Sequence, residues 1–276
     1  MKIEEYLGTE KIFFASSGSM VIFSVLYPFR EKILGIPDQG CFGGIMKIAD
    51  VLNMKYRFIE TDDGIIIPEN IKNVDIFFFS SFSGYLVENN VEDICTHCKK
   101  NGILSMEDIS SGFSYPEFGK GDIIVCSTGT PKILECGWGG FVAYRNIERS
   151  GIFDFMRMPE GYMEKLENEV KNSRFKLQRI LKYSRILKDF DYDVLFRDHN
   201  GVSVFVKTEY AKKILKILNR EIKPDTGKSL FTRCPRYDRV LEKGFVIETI
   251  KIWKRKEDEI IDIGRKIEKE IKCLNI

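Results

Sequence analysis

The chain has 276 residues, and its 43 Lys+Arg nearly balance its 41 Asp+Glu to leave a formal charge of +2. No general electrostatic attraction therefore draws it to nucleic acid or to an acidic membrane surface. With 43% hydrophobic and 30% charged residues, it is too apolar for a disordered chain and too charged for an integral membrane protein.

From Met1 to Tyr6 acidic residues come early, and no apolar stretch with a small-residue cleavage site follows, which predicts a cytoplasmic location. Short apolar runs predict strands over residues 11–15, 32–36, 55–60, 74–80, 103–107, 123–127 and 141–144, and amphipathic patterns predict helices over 18–28, 43–53 and 91–100. Alternation of strand and helix implies a mainly parallel seven-stranded sheet sandwiched by helices, an α/β architecture. The apolar segment 12–29 is cut by Ser16-Ser17-Gly18-Ser19 into a strand and a helix start, so it is not a membrane span.

Positions 163, 166, 170, 173, 177, 180, 184 and 187 step by three and four, and all but Ser173 and Ser184 are apolar. One long helix is predicted over 163–187, with Lys, Arg and Glu crowding its other faces against solvent. Beyond it, strands over 202–207 and 245–253 and helices over 210–218 and 257–274 form a small α+β domain. The expected organisation is a large α/β domain over 1–160, a connecting helix over 161–190 and a small domain over 191–276. The basic stretch 251–256 straddles a strand end and meets an acidic helix start, which reads as a solvated boundary rather than a nucleic-acid patch.

Seven cysteines lie scattered along a chain without an export signal, so free thiols are expected. Cys95-Thr96-His97-Cys98 lacks a second ligand pair for a structural metal. A helix with Ile94, Cys95 and Cys98 facing inward, and His97 near its carboxyl end, explains it instead.

Three loops carry polar groups where a sheet of this kind gathers ligands. Ser17-Gly18-Ser19 opens a helix and reads either as a phosphate cradle or as an ordinary serine cap. Asp108 follows the strand 103–107, as a ligand carboxylate or as a loop cap. Lys132 sits in Ser127-Thr128-Gly129-Thr130-Pro131-Lys132, ahead of Gly137-Trp138-Gly139-Gly140, and is either a Schiff-base former or a solvated lysine.

Together these residues resemble the DegT/StrS-type nucleotide-sugar aminotransferases, pyridoxal 5'-phosphate enzymes of transferase fold type I. Ser17-Gly18-Ser19, Glu107-Asp108, Ser127 five residues before Lys132, and Gly137 five residues after it occupy that family's motif places. The match is good over residues 4–150 and holds only in outline beyond. The resemblance implies that Lys132 holds the cofactor and shuttles protons and that Asp108 pairs with the pyridine nitrogen. It also implies that Ser17, Gly18, Ser19 and Ser127 hold the phosphate. Phe42, or else Cys41, falls where the family stacks a residue on the ring, with core packing as the plain alternative for Phe42. Three places depart from the family: Ser111 replaces a Gln or His, Phe155 an Asn that reaches the neighbouring subunit's phosphate, and Trp138 a Glu. Only about fifteen residues precede Ser17, so the segment that covers the family's active site is expected to be largely missing.

The resemblance implies an aminotransferase acting on a small-molecule amino donor and a keto acceptor, a sugar among the candidates. It further implies a homodimer in which Arg157 either reaches the partner's phosphate or is a surface residue. Cys41 and Cys136 keep a lyase or desulfurase reading open unless they are simply buried hydrophobes. The departures at Ser111 and Phe155 keep open a non-catalytic member of the fold.

Overall fold

The computed structural model describes residues 3–9, 11–145 and 151–274. The chain runs α1 (Ile3–Leu7), β1 (Ile12–Ala15), α2 (Gly18–Leu26), β2 (Leu34–Pro37), α3 (Gly44–Val51) and β3 (Tyr56–Ile59). It continues through the hairpin β4 (Thr61–Asp62) and β5 (Ile65–Ile66), β6 (Ile76–Ser80), the short pair β7 (Phe82–Ser83) and β8 (Val87–Glu88), and α4 (Val91–Lys100). β9 (Leu104–Asp108), β10 (Ile123–Ser127) and β11 (Gly140–Tyr144) complete the first half. All the strands and helices expected in this half are present, with ends shifted by at most two residues.

The seven-stranded sheet has the order β1-β11-β10-β9-β6-β2-β3, and only β11 runs against its neighbours. Both faces are covered at the centre of the sheet, which is why β6 and β10 read as unbroken apolar runs. In β6, Phe77 and Phe79 enter the core beneath α4, whereas Phe78 enters the core beneath α2 and α3. The same alternation sends Ile124 and Cys126 of β10 to one side and Ile123 and Val125 to the other. α4 buries Ile94 and Cys98, leaves Cys95 half-buried, and its His97 ring meets the Ile71 carbonyl at 3.1 Å.

After the sheet, α5 (Tyr162–Lys188) leads into β12 (Val194–Leu195), β13 (Val204–Lys207), α6 (Ala211–Glu221), β14 (Phe231–Cys234), β15 (Gly244–Ile247) and α7 (Glu257–Leu274). The strands form a second, antiparallel sheet in the order β12-β13-β15-β14. On α5 the expected seam is buried from Leu166 to Leu187, but its first member, Met163, is exposed. Nor are the helix's basic residues all in solvent: Lys176 and Lys188 are buried. Lys188 donates to the carbonyls of Phe196 at 2.6 Å and His199 at 2.7 Å, and burial pushes its pKa down to about 8.

Two expectations for the chain after α5 need correction. The single strand predicted over 245–253 is divided into β15 and a 3-10 turn over Thr249–Ile252, because the Thr249 hydroxyl turns back to donate to the Val202 carbonyl at 2.5 Å. The strand expected from residue 202 starts at Val204. Among the described residues no helix is long and apolar enough to cross a membrane.

Candidate active site

The parallel strands end on one side of the large sheet, and turns there leave polar groups beyond their carboxyl ends. A cavity of about 540 Å³ opens on that side. Ser17, Gly18, Ser19, Phe42, Asp108, Ser111, Ser127 and Lys132 all line it. Residues separated by more than a hundred positions in sequence are thus brought to one place by the topology.

The turn from β1 into α2 forms one wall. Ser17 caps α2, its hydroxyl accepting the Met20 N–H at 3.2 Å. The N–H groups of Gly18 and Ser19 in the first turn have no acceptor within the helix and make a positive end suited to an anion. Gly18 is required by close approach: a Cβ there would lie 2.6 Å from the Ser127 Cβ. The glycines after Lys132 serve the turn into β11, with Gly137 at φ +87° and Gly139 at φ +85° in the left-handed region.

Asp108 is the last residue of β9. Its Oδ1 accepts from the Ser110 N–H at 2.9 Å and the Ser110 hydroxyl at 2.5 Å, while that hydroxyl oxygen accepts the Ser127 N–H at 2.7 Å. The carboxylate is thereby tied to the Ser127 loop. Its neighbour Glu107 does a different job, being fully buried. Oε1 accepts from the Ser81 hydroxyl at 2.6 Å and the Gly119 N–H at 2.9 Å, and Oε2 from the N–H groups of Lys120 at 2.8 Å and Gly121 at 3.0 Å. Glu107→Ala would strand three backbone donors, each worth roughly 1–3 kcal/mol when buried and unpaired. We expect a loss of about 3 kcal/mol or more in urea unfolding; a loss below ~1 kcal/mol would remove this carboxylate as the loop's anchor.

Lys132 projects from its loop into the cavity and is half-buried. Helix α5 holds the loop: Lys176 Nζ donates to the Lys132 carbonyl at 2.7 Å and contacts Glu135 at 3.2 Å, while Glu169 accepts the Glu135 N–H at 2.9 Å. The Lys132 amine donates to the Tyr85 hydroxyl. Burial works against its charge, but the Tyr85 oxygen and the Asp108 carboxylate outweigh that, and the net effect raises its pKa.

The roof comes from the segment after α5 that carries the second sheet. The Tyr237 hydroxyl donates to the Pro37 carbonyl at 2.8 Å, Gly40 N–H to the Tyr237 carbonyl at 2.8 Å, and Leu241 N–H to Gln39 Oε1 at 2.7 Å. This docking brings Arg239 and the buried Glu248 to the cavity, joined by contacts of 2.9 and 3.1 Å, with Thr232 donating to the same carboxylate at 2.6 Å. Burial opposes charge on Glu248, yet Arg239 and Thr232 outweigh it and hold the carboxyl below its ordinary range.

Phe42 is 36% exposed and lines the cavity, so core packing does not describe it. Ser111 is buried at the cavity wall. Cys41 also lines the wall, but burial pushes its thiol up to about 12, and burial pushes Cys136 up to about 11. Neither is poised as a thiolate nucleophile. Phe155 is 89% exposed, and Arg157 is exposed and outside the cavity. Sequence reading missed Tyr85, Ser110, Lys176, Arg239 and Glu248. Only Tyr85 left a local signal, standing after a turn glycine just beyond the strand that ends at Ser80.

The profile of the MJ1341 family C-terminal domain matches residues 174–268, and among curated proteins none matches the chain by sequence. Solved structures are similar over nearly the whole chain. PseC of Helicobacter pylori, an aminotransferase involved in the biosynthesis of pseudoaminic acid, shares 15% identity at TM-score 0.73, over 98% of this chain and 89% of that one. The cysteine desulfurase of Thermococcus onnurineus NA1 shares 12% at TM-score 0.71, over 98% and 82%. The serine palmitoyltransferase of Sphingomonas wittichii shares 12% at TM-score 0.75, over 99% and 75%. The fold is thus that of the type I pyridoxal-phosphate transferases, a scaffold that carries several chemistries.

Proposed function

We propose that the protein is a pyridoxal 5'-phosphate enzyme, and specifically an aminotransferase that moves an amino group from an amino acid to a keto compound, a keto sugar being one candidate acceptor. The observation that carries this reading is the meeting of Lys132 and Asp108 with the Ser17–Gly18–Ser19 helix start and Ser127 in one cavity.

The donor set fits the cofactor. A phosphate suits the positive end of α2 and the hydroxyls of Ser17, Ser19 and Ser127, and the close approach of Gly18 to Ser127 keeps that corner free of a side chain. An amine and a carboxylate in the same cavity suit the aldehyde and the pyridine nitrogen. Bound there, the ring supplies an electron sink for a carbanion at the amino-bearing carbon. Lys132 would hold the cofactor through its amine and would serve as the general base that moves a proton from the substrate carbon. Asp108, held by Ser110, would keep a proton on the ring nitrogen. Phe42 and Ser111, which line the same cavity, would contact the ring, Ser111 with a shorter group than the Gln or His of the family it resembles.

The raised thiols of Cys41 and Cys136 weigh against the desulfurase alternative. The reading carries a homodimer with it, closed two-fold pairing being the commonest soluble assembly, and leaves Arg157 as the candidate to reach the partner's phosphate. To test the assignment, the protein is saturated with pyridoxal 5'-phosphate, reduced with borohydride and digested. The phosphopyridoxyl group is expected on the Lys132 peptide; recovery on another lysine, or on none, sinks it. Adding amino acids singly to the unreduced protein, with loss of the yellow absorbance and appearance of pyridoxamine 5'-phosphate, separates a transaminase from a lyase and from an inert binder.

A further inference from the structure

Tyr85 lies in the turn between β7 and β8, at a point where the backbone is unusual for its side chain. Its φ is +70°, in the left-handed region that bulky residues avoid, and Gly84 before it is also left-handed at φ +57°. Gly84 has no freedom to be anything larger, because a Cβ there would lie 2.4 Å from the Arg239 carbonyl oxygen. Outliers of this kind persist only where the surroundings overdetermine them, and they collect at functional sites. Here the surroundings are two cations. The Tyr85 hydroxyl accepts the hydrogen bond of the Lys132 amine, whose Nζ lies 4.8 Å from the ring centroid, and the Arg239 guanidinium carbon lies 4.5 Å from the same centroid. Arg239 is in turn fixed by the buried Glu248.

We propose that Tyr85 is a positioning residue for Lys132, its hydroxyl holding the amine in place and its ring standing between that amine and Arg239. The inference rests on the reading of Lys132 as the reactive amine, but it concerns the amine in the cofactor-free protein. Four groups face that amine: Tyr85 from the β7–β8 turn, Asp108 from β9, Cys126 from β10 and Arg239 from the loop after β14. With the hydroxyl removed, burial and Arg239 are opposed by one partner fewer, Asp108 remaining. The charged amine is then less favoured, and a larger fraction is free to react at a given pH.

The full chain, stripped of any bound aldehyde, is trace-labelled with limiting acetic anhydride across a pH series, and the Lys132 peptide is quantified against the exposed Lys47. In Tyr85→Phe, which keeps the ring, labelling of Lys132 at about pH 8 is expected to rise about tenfold, the scale of one hydrogen bond to a charged group. Tyr85→Gly, suited to the left-handed backbone, is expected to raise it as well and answers the question should the Phe variant fail to fold. A merely structural Tyr85 would change the melting temperature and leave the pH profile of labelling where it was. Equal Lys132 labelling in a folded variant and the parent overturns the proposal, even if borohydride traps the cofactor on Lys132. Raised labelling supports it even if no cofactor is trapped, in which case the cofactor reading fails alone.

Discussion

Lys132→Ala is expected to lower turnover about 10⁴-fold, the upper end of what a positioned acid–base group supplies, while the chain stays folded and still takes up pyridoxal 5'-phosphate without a covalent link. The structure separates these effects. The Lys132 side chain reaches into the cavity, whereas the loop is anchored by backbone and neighbouring groups, the Lys132 carbonyl to Lys176 and the Glu135 N–H to Glu169. Truncation at the β-carbon therefore removes the amine and leaves the loop's anchors intact. Two measurements check it. Turnover with any competent amino donor should collapse, and a small primary amine such as methylamine should restore part of the proton transfer. Retention of more than about a tenth of parental turnover without added amine would take the proton-transfer role away from Lys132.

The centre of the large sheet was legible because its strands are covered on both faces, so that Ile76 to Phe79 and Ile123 to Cys126 stand out as apolar runs between glycine-rich or polar turns. β14 had no such signature. Phe231, Thr232, Arg233 and Cys234 alternate buried ends with a polar middle, at the edge of a small sheet and after a charged, glycine-containing approach. The break in the strand predicted over 245–253 was hidden for a related reason. Glu248 and Thr249 sit inside a mostly apolar run, and nothing nearby in sequence reveals that one must meet Arg239 and the other Ser184 and Val202.

A similar division runs through the site. Asp108 and Ser127 end strands, Ser17 lies two residues and Lys132 five residues past one, so spacing from a strand end locates them. Arg239 and Glu248 arrive from the segment after α5 by way of the Tyr237 and Leu241 contacts, across a sequence separation no local pattern spans. Glu107 and Asp108, adjacent in sequence, diverge because successive strand residues face opposite sides of the sheet: one carboxylate is sealed among backbone donors and the other is turned to the cavity.

That divergence makes Asp108 a clean test of electrostatics. Asp108→Asn is expected to lower turnover about 10²–10³-fold, as the loss of one preorganised electrostatic contact does, with little change in melting temperature. The reason lies in how the carboxylate is held. Only Oδ1 carries hydrogen bonds among the described residues, both from Ser110, and an amide oxygen can accept both in the same place. The tie through Ser110 to the Ser127 loop thus survives the substitution. What does not survive is the negative charge, and a neutral amide cannot keep a proton on a pyridine nitrogen. Borohydride trapping on Lys132 should therefore proceed in the variant while release of the substrate's α-proton, followed by deuterium exchange from solvent, slows by the same factor as turnover. Exchange at the parental rate in a cofactor-saturated variant would remove Asp108 from the role, and a large fall in melting temperature would mean instead that its charge anchors the loop.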